Sequence, residues 1–361
     1  MARPPMPRRL PTLAALLAGA LTLAACGERE EPTGAGAAAL APLQPLEVML
    51  DFPPSPEHAG LFAAQEGGAF EDARLDVELT EPPEPSAPLE ALEAGEVDIA
   101  ISYEPELLLA RDRGADLVSI GALVQVPLTS VVSSGEDAVR RTGQLRGRRV
   151  ATAGLAYQEA LLRAILQQKG VRPADVRLSD VGFDLLDATV SDRFVAVFGA
   201  TWNDEAVELD RANRRPAALR VGRLGVPTYA ELVFVVRAQD ARGRGPLLRR
   251  FMQAVASGHR LLRENPDEGT AVLLRENRDL NAAATRASVR ETLPLFFPEQ
   301  EDAPEDQDRE RPFGFQDLEK RDAFGRWMLA NGLVRSPPDA RVAATNEFLP
   351  GEGIVIDEGA P

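Results

Sequence analysis

The sequence predicts an α/β fold of two lobes, each built on a mostly parallel sheet, with a hinged cleft between them. Three observations predict it. The chain has 361 residues, more than one hydrophobic core usually holds, so two lobes are expected. Short apolar runs alternate with helical segments, the signature of strand–helix–strand units. That alternation also starts twice, once near residue 46 and again near residue 148.

The elements follow in order. Leu46–Phe52 alternates as a strand and is broken by Pro53-Pro54-Ser55-Pro56, after which His58–Gln65 reads as a helix ending near Gly67-Gly68. Leu75–Thr80 is a second strand, Glu81–Pro88 a Pro-rich loop and Leu89–Ala94 a helix; Glu96–Ser102 is a third strand and Pro105–Arg113 a helix. The second series holds strands at Arg148–Ala153, Val176–Val181 and Phe194–Ala200, with an amphipathic helix at Gln158–Lys169. Glu231–Arg237 is a strand that returns to the first lobe. Helices follow at Pro246–Glu264, Pro266–Glu276, Asn281–Leu293 and Phe315–Asn331, with an acidic surface loop over 298–312. Ligands bind such folds at the carboxyl ends of the strands, where loops converge, and hinge closure is the usual motion.

Composition narrows the function. A formal charge of −16 leaves no dominant basic face, which excludes nucleic acid as a partner. Cys26 is the single cysteine, which excludes an internal disulfide and any multi-cysteine metal centre. With only His58 and His259 as histidines, a His-rich metal site is not expected either, and no cofactor is implied.

The N-terminus reads as an address. Arg3, Arg8 and Arg9 precede a run over 10–25 that is apolar or small and too short for a comfortable membrane span. It ends in Leu23-Ala24-Ala25-Cys26, which resembles the lipobox of bacterial lipoproteins. The resemblance implies a signal peptide over 1–25, a lipidated Cys26 and a flexible tether over 26–44, rich in Gly, Ala, Pro and Glu. The chain is therefore expected to be exported and lipid-anchored, facing away from the cytoplasm.

Acids and aromatics gather at the predicted strand ends. Asp51, Glu104, Asp204 and Glu205 stand there, with Tyr103, Trp202 and Asn203 beside them. A carboxylate accepts from an exocyclic amine and a protonated ring nitrogen while an aromatic face covers the ring. The same carboxylates repel sulfonate, nitrate or phosphate. Each residue also has a packing alternative. Glu104, before Pro105, could simply open a helix at its favourable end. His58 could help begin the helix after the Pro-rich turn, and Phe52, Tyr103, Thr201 and Trp202 could belong to the core.

Several stretches resemble one family, the ABC-importer binding proteins for pyrimidine precursors of thiamine. They are Leu50-Asp51-Phe52-Pro53-Pro54-Ser55-Pro56-Glu57-His58-Ala59-Gly60, Gly95-Glu96-Val97-Asp98-Ile99-Ala100-Ile101-Ser102-Tyr103-Glu104-Pro105 and Gly199-Ala200-Thr201-Trp202-Asn203-Asp204-Glu205. Gly225-Val226-Pro227-Thr228-Tyr229, Trp327–Leu333 and Thr345–Pro350 add to them. The resemblance implies a type II periplasmic-binding-protein-like fold, with lobe I over 45–131 plus 228–361 and lobe II over 132–227. It also implies an aminopyrimidine ligand, an ABC permease as partner, a monomer and no enzymatic activity. Two positions depart from the family: Phe52 stands where tryptophan is usual, and Thr201 where a tyrosine is. The candidate ligand-binding residues are Asp51, Phe52, His58, Ser102, Tyr103, Glu104, Thr201, Trp202, Asn203 and Glu205.

Rival readings keep a place. Riboflavin or another aromatic heterocycle, or an alkanesulfonate, would suit a binding protein of the same fold. A fungal relative makes the thiamine pyrimidine from pyridoxal phosphate on a Schiff-base lysine. Where that enzyme has its lysine this chain has Ser102, and where it has its sacrificial histidine, Glu106.

Overall fold

A computed structural model describes residues 42–297 and 311–351. The expected signal peptide, Cys26, most of the tether and nearly all of the acidic loop lie outside the described residues. The strands are β1 (Gln44–Met49), β2 (Leu75–Thr80), β3 (Ile99–Ser102), β4 (Leu117–Val124), β5 (Thr129–Ser133), β6 (Arg149–Thr152), β7 (Arg177–Asp180), β8 (Ala196–Thr201), β9 (Ala217–Arg220) and β10 (Leu232–Arg237).

They form two five-stranded sheets, in the orders β2-β1-β3-β10-β4 and β7-β6-β8-β5-β9. In the first, β1 pairs in parallel with β2 and β3, and β10 runs antiparallel between β3 and β4. The second repeats the plan: β6 is parallel to β7 and β8, while β5 is antiparallel to β8 and β9. In each sheet the one reversed strand is the first after the chain crosses over from the other sheet. The two-lobed α/β architecture expected from the sequence is thus present.

Alternation explains β1. Leu46 and Val48 are buried while Pro45 and Glu47 are exposed, as suits a strand with one face on the core. It ends at Met49, not Phe52, so Asp51 and Phe52 stand beyond the sheet in the turn that the prolines impose. Likewise β3 begins at Ile99 and not Glu96, because Gly95 (φ +80°) caps the helix Ala87–Ala94 and keeps the chain in the turn. The sequence pattern assigns no element to β4, β5 or β9. All eight residues of β4 and all five of β5 are buried, so neither shows the alternation that reveals a half-exposed strand. β9 is only four residues long.

Two connections join the sheets, residues 125–128 after β4 and residues 221–231 before β10. Glu231 fastens them together: its Oε2 accepts the backbone N–H of Leu128 (2.8 Å) and Thr129 (3.1 Å), and the Thr129 hydroxyl donates to Oε1.

The C-terminal segment touches both halves. Phe324 and Met328 of the helix Leu318–Ala330 share a hydrophobic cluster with Leu161, Ile165 and Phe198 of the second lobe, and with Leu108 of the first. On either side of that helix, Gln316 and Ala344 attach to Ser119 of β4. This segment, which the sequence reading groups with the first lobe, thus packs on both.

Candidate functional site

The turn after β1, the ends of β3 and β8, and the two connecting segments surround a cavity of about 130 Å³. Asp51, Phe52, Pro53, Pro54, Ser55 and Glu57 line it from the turn after β1, and Tyr103 from the end of β3. The second lobe contributes Leu185, Gly199, Thr201, Asp204 and Glu205; Leu128, Glu231 and Leu232 come from the connections, and Asn277 and Leu280 from a helical loop. The cavity therefore lies at carboxyl ends of strands in both sheets, as the architecture predicts. Among the described residues, five of the lining side chains are carboxyls (Asp51, Glu57, Asp204, Glu205 and Glu231), and none is Lys, Arg or His.

On the first lobe, the buried Asp51 carboxyl is held at both oxygens. His58 Nε2 lies 2.9 Å from Oδ1, and the Tyr103 hydroxyl donates to Oδ2 at 2.7 Å. His58 is fixed in turn by the short 3₁₀ turn Pro56–His58, whose cap is Ser55. The Ser55 backbone N–H donates to His58 Nδ1 at 3.2 Å, closing a capping box in which histidine replaces the usual Glu or Gln. Tyr103 packs on Tyr157 with ring centroids 5.0 Å apart. Burial, and then the neighbouring Asp51, push its phenol well above the ordinary tyrosine range, so it remains a donor. Phe52 meets the edge of Phe183 at 4.8 Å.

On the second lobe, Glu205 opens the helix Glu205–Arg211 and reaches back to the end of β8. Its Oε2 accepts the Thr201 backbone N–H at 2.7 Å and the Thr201 hydroxyl at 2.8 Å. Burial raises the Glu205 carboxyl to about 7 even though these two bonds oppose the rise. Burial, then the charges of Glu57 and Glu205, hold Asp204 well above the carboxylate range. Gly199 contributes no side chain to the cavity. At φ +105° a Cβ would strike the Gln158 amide at 2.4 Å, and that amide braces the Ala153 N–H.

One hydrogen bond runs directly between the two walls. Glu57 Oε1 accepts from Asn203 Nδ2 at 2.6 Å, and the same amide nitrogen donates to Thr292 Oγ1 at 2.8 Å. Both residues are buried.

Of the ten residues singled out by sequence, Asp51, Phe52, Tyr103, Thr201 and Glu205 line the cavity, and His58, Ser102, Glu104, Trp202 and Asn203 do not. His58 stands behind Asp51 and Asn203 behind Glu57, one bond from the cavity. Ser102 turns away to donate to Glu106 Oε2 at 2.6 Å. Glu104 accepts the Ala230 N–H at 2.6 Å and faces Arg321 at 3.5 Å, so it clasps the return connection and the C-terminal helix. Trp202 donates from Nε1 to the Pro127 carbonyl at 3.2 Å and lies beneath the Arg220 guanidinium, 3.6 Å from its ring centroid. It braces a connecting segment and offers no stacking face to the cavity. His259, the other histidine, is a core residue packed against Phe296 and Phe313, with burial lowering it to about 4.

Glu57, Glu231, Asn277 and Leu280 were not foreseen. Glu57 falls within the resembling stretch and carried a signal in its neighbours Ser55 and His58. Asn277 and Leu280 lie more than two hundred residues along the chain from the turn they approach, where Asn277 Nδ2 donates to the Pro54 carbonyl, and nothing local marks them.

The family described as NMT1/THI5 like matches residues 55–269. A formylaminopyrimidine-binding protein of Halalkalibacterium halodurans is 30% identical over 295 residues, covering 82% of this chain and 88% of that one. A 4-amino-5-hydroxymethyl-2-methylpyrimidine phosphate synthase of Legionella pneumophila is 22% identical over 252 residues, 69% of this chain and 79% of that one. Among solved structures, the alkanesulfonate-binding protein SsuA from Xanthomonas axonopodis pv. citri, bound to MOPS, superposes with a TM-score of 0.63 at 20% identity, over 84% of this chain and 99% of that one. At that identity it speaks for the fold alone. With its two sheets, its strand-end cavity and this match, the chain belongs to the NMT1/THI5-like family.

Proposed function

We propose that the chain is the solute-binding component of an ABC importer and that it captures an aminopyrimidine precursor of thiamine between its lobes. The observation that carries this reading is the lining: five carboxyls, the aromatic side chains of Phe52 and Tyr103, and no cationic side chain. Such a surface accepts the N–H groups of an aminopyrimidine and covers its ring, and it offers a sulfonate no cationic partner. The likeness to a formylaminopyrimidine-binding protein supports the same ligand class.

Relatives in the family include named synthases, and the binding reading is favoured by the lining itself. It offers no lysine for a Schiff base and no histidine facing the cavity. The lipobox-like Leu23-Ala24-Ala25-Cys26 supports export and a lipid anchor, which would hold the domain outside the cytoplasm beside its permease. Calorimetry on the unlipidated chain with aminopyrimidines, thiamine, riboflavin and taurine tests the ligand. Heat with an aminopyrimidine is expected; heat with taurine alone would overturn the carboxylate argument.

A further inference from the structure

Resting on that reading, we propose that the cleft binds its pyrimidine as the cation, protonated on a ring nitrogen, with Asp51 as the ionised counter-charge. The geometry around His58 carries this. A backbone N–H has a direction set by the peptide plane, unlike a hydroxyl, and that of Ser55 is aimed at His58 Nδ1 at 3.2 Å. Nδ1 must therefore present its lone pair, and the ring's single proton sits on Nε2, where it is donated to Asp51 Oδ1 at 2.9 Å. The Ser55 hydroxyl donates to Glu57 Oε2 at 2.9 Å and lies 3.1 Å from Nδ1. His58 is thus a neutral donor and not an imidazolium.

The other groups facing Asp51 supply no positive charge either. Tyr103 donates as a neutral phenol, and Glu106, on the helix Glu104–Asp112, is a further acid. Asp51 is 4% exposed, so water screens its charge poorly, and a neutral ligand would displace that water and leave the carboxylate uncompensated. A ring that takes a proton from solvent on entering supplies the missing charge and a charge-assisted bond. Holding Asp51 by neutral donors alone keeps its orientation fixed and its charge available. His58 is a positioning residue in this scheme, and Asp51 the residue that selects the charged form.

The test is ¹⁵N NMR of a ring-labelled aminopyrimidine bound to the purified protein at a pH about one unit above the free ligand's own ring pKa. The bound ring nitrogen is expected to show the shift of the protonated form while free ligand does not. Asp51→Asn, checked for an unchanged melting curve, is expected to weaken binding on the order of 10- to 100-fold and to abolish that signature. A bound ring nitrogen that stays unprotonated in the wild-type protein overturns the inference, whatever the variant does, and leaves the proposed function standing. Failure of every aminopyrimidine to bind overturns both.

Discussion

The Glu205 carboxyl, raised by burial to about 7, sets what its neighbourhood can do. It already accepts two hydrogen bonds from Thr201 and keeps lone pairs for a ligand. Glu205→Gln is expected to weaken aminopyrimidine binding by about 1–3 kcal/mol, the value of a charged hydrogen bond lost from a buried site; titration calorimetry reads it, and an unchanged affinity would remove Glu205 from the site. The same residue has a signature without ligand. An unfolded chain releases this proton near 4.5, whereas the folded one holds it to about 7, so the native state binds more protons between those values and loses stability as pH rises through them. His259, lowered to about 4, works in the opposite sense, costing stability as pH falls below its ordinary 6.5. The difference between variant and wild type removes the contribution of His259 and leaves that of Glu205 together with Asp204, whose carboxyl the charge of Glu205 helps to raise. Relative to wild type, Glu205→Gln should gain about 2–3 kcal/mol between pH 5 and pH 8, measured by urea titration at both; a constant difference would refute the raised carboxyl. That Asp51, Asp204 and Glu205 stand near strand ends was legible in the sequence; that Glu57 and Glu231 join them in the cavity was not. Nor was the way each pointed. Glu104 and Glu205 both follow strand ends, yet one turns to the Ala230 amide and the other to the cavity, a choice made by contacts distant in sequence.

At the scale of elements, the connecting segments decide how the lobes are hinged. Glu231 gathers the Leu128 and Thr129 amides and the Thr129 hydroxyl, and burial raises its carboxyl against the effect of those bonds. Glu231→Ala would strand buried donors on the opposite connection, so a loss of about 2–4 kcal/mol in unfolding free energy is expected from denaturant melts. A variant as stable as the wild type would show that the connections hold without this clasp. These same elements were the hardest to read. β4 and β5 are apolar on both faces, and a strand without alternation resembles any buried segment. Helices with a side-chain cap were clearer: Asn281 and Asp317 each accept backbone N–H groups at the start of a helix whose extent the sequence approximates.

For the whole molecule, two lobes around a ligand imply closure. An aminopyrimidine at one hundred times its dissociation constant should stabilise the protein by about 2.7 kcal/mol, seen as a raised melting temperature, and should not increase its radius of gyration in small-angle scattering. Cys26→Ser, in cells, is expected to move the chain out of the membrane fraction with the melting curve of the domain unchanged; a variant still in membranes would count against the lipid anchor. By itself the sequence determined the α/β class, the restart that makes two lobes, and the enrichment of acids at strand ends, because local periodicity and turn chemistry are written in neighbouring residues. Only the tertiary structure decided which of those acids share a cavity, that His58 stands behind Asp51, and that Trp202 braces a connection instead of lining the cavity. Those outcomes depend on distance and direction between residues far apart in the chain, and packing fixes them where no local pattern can.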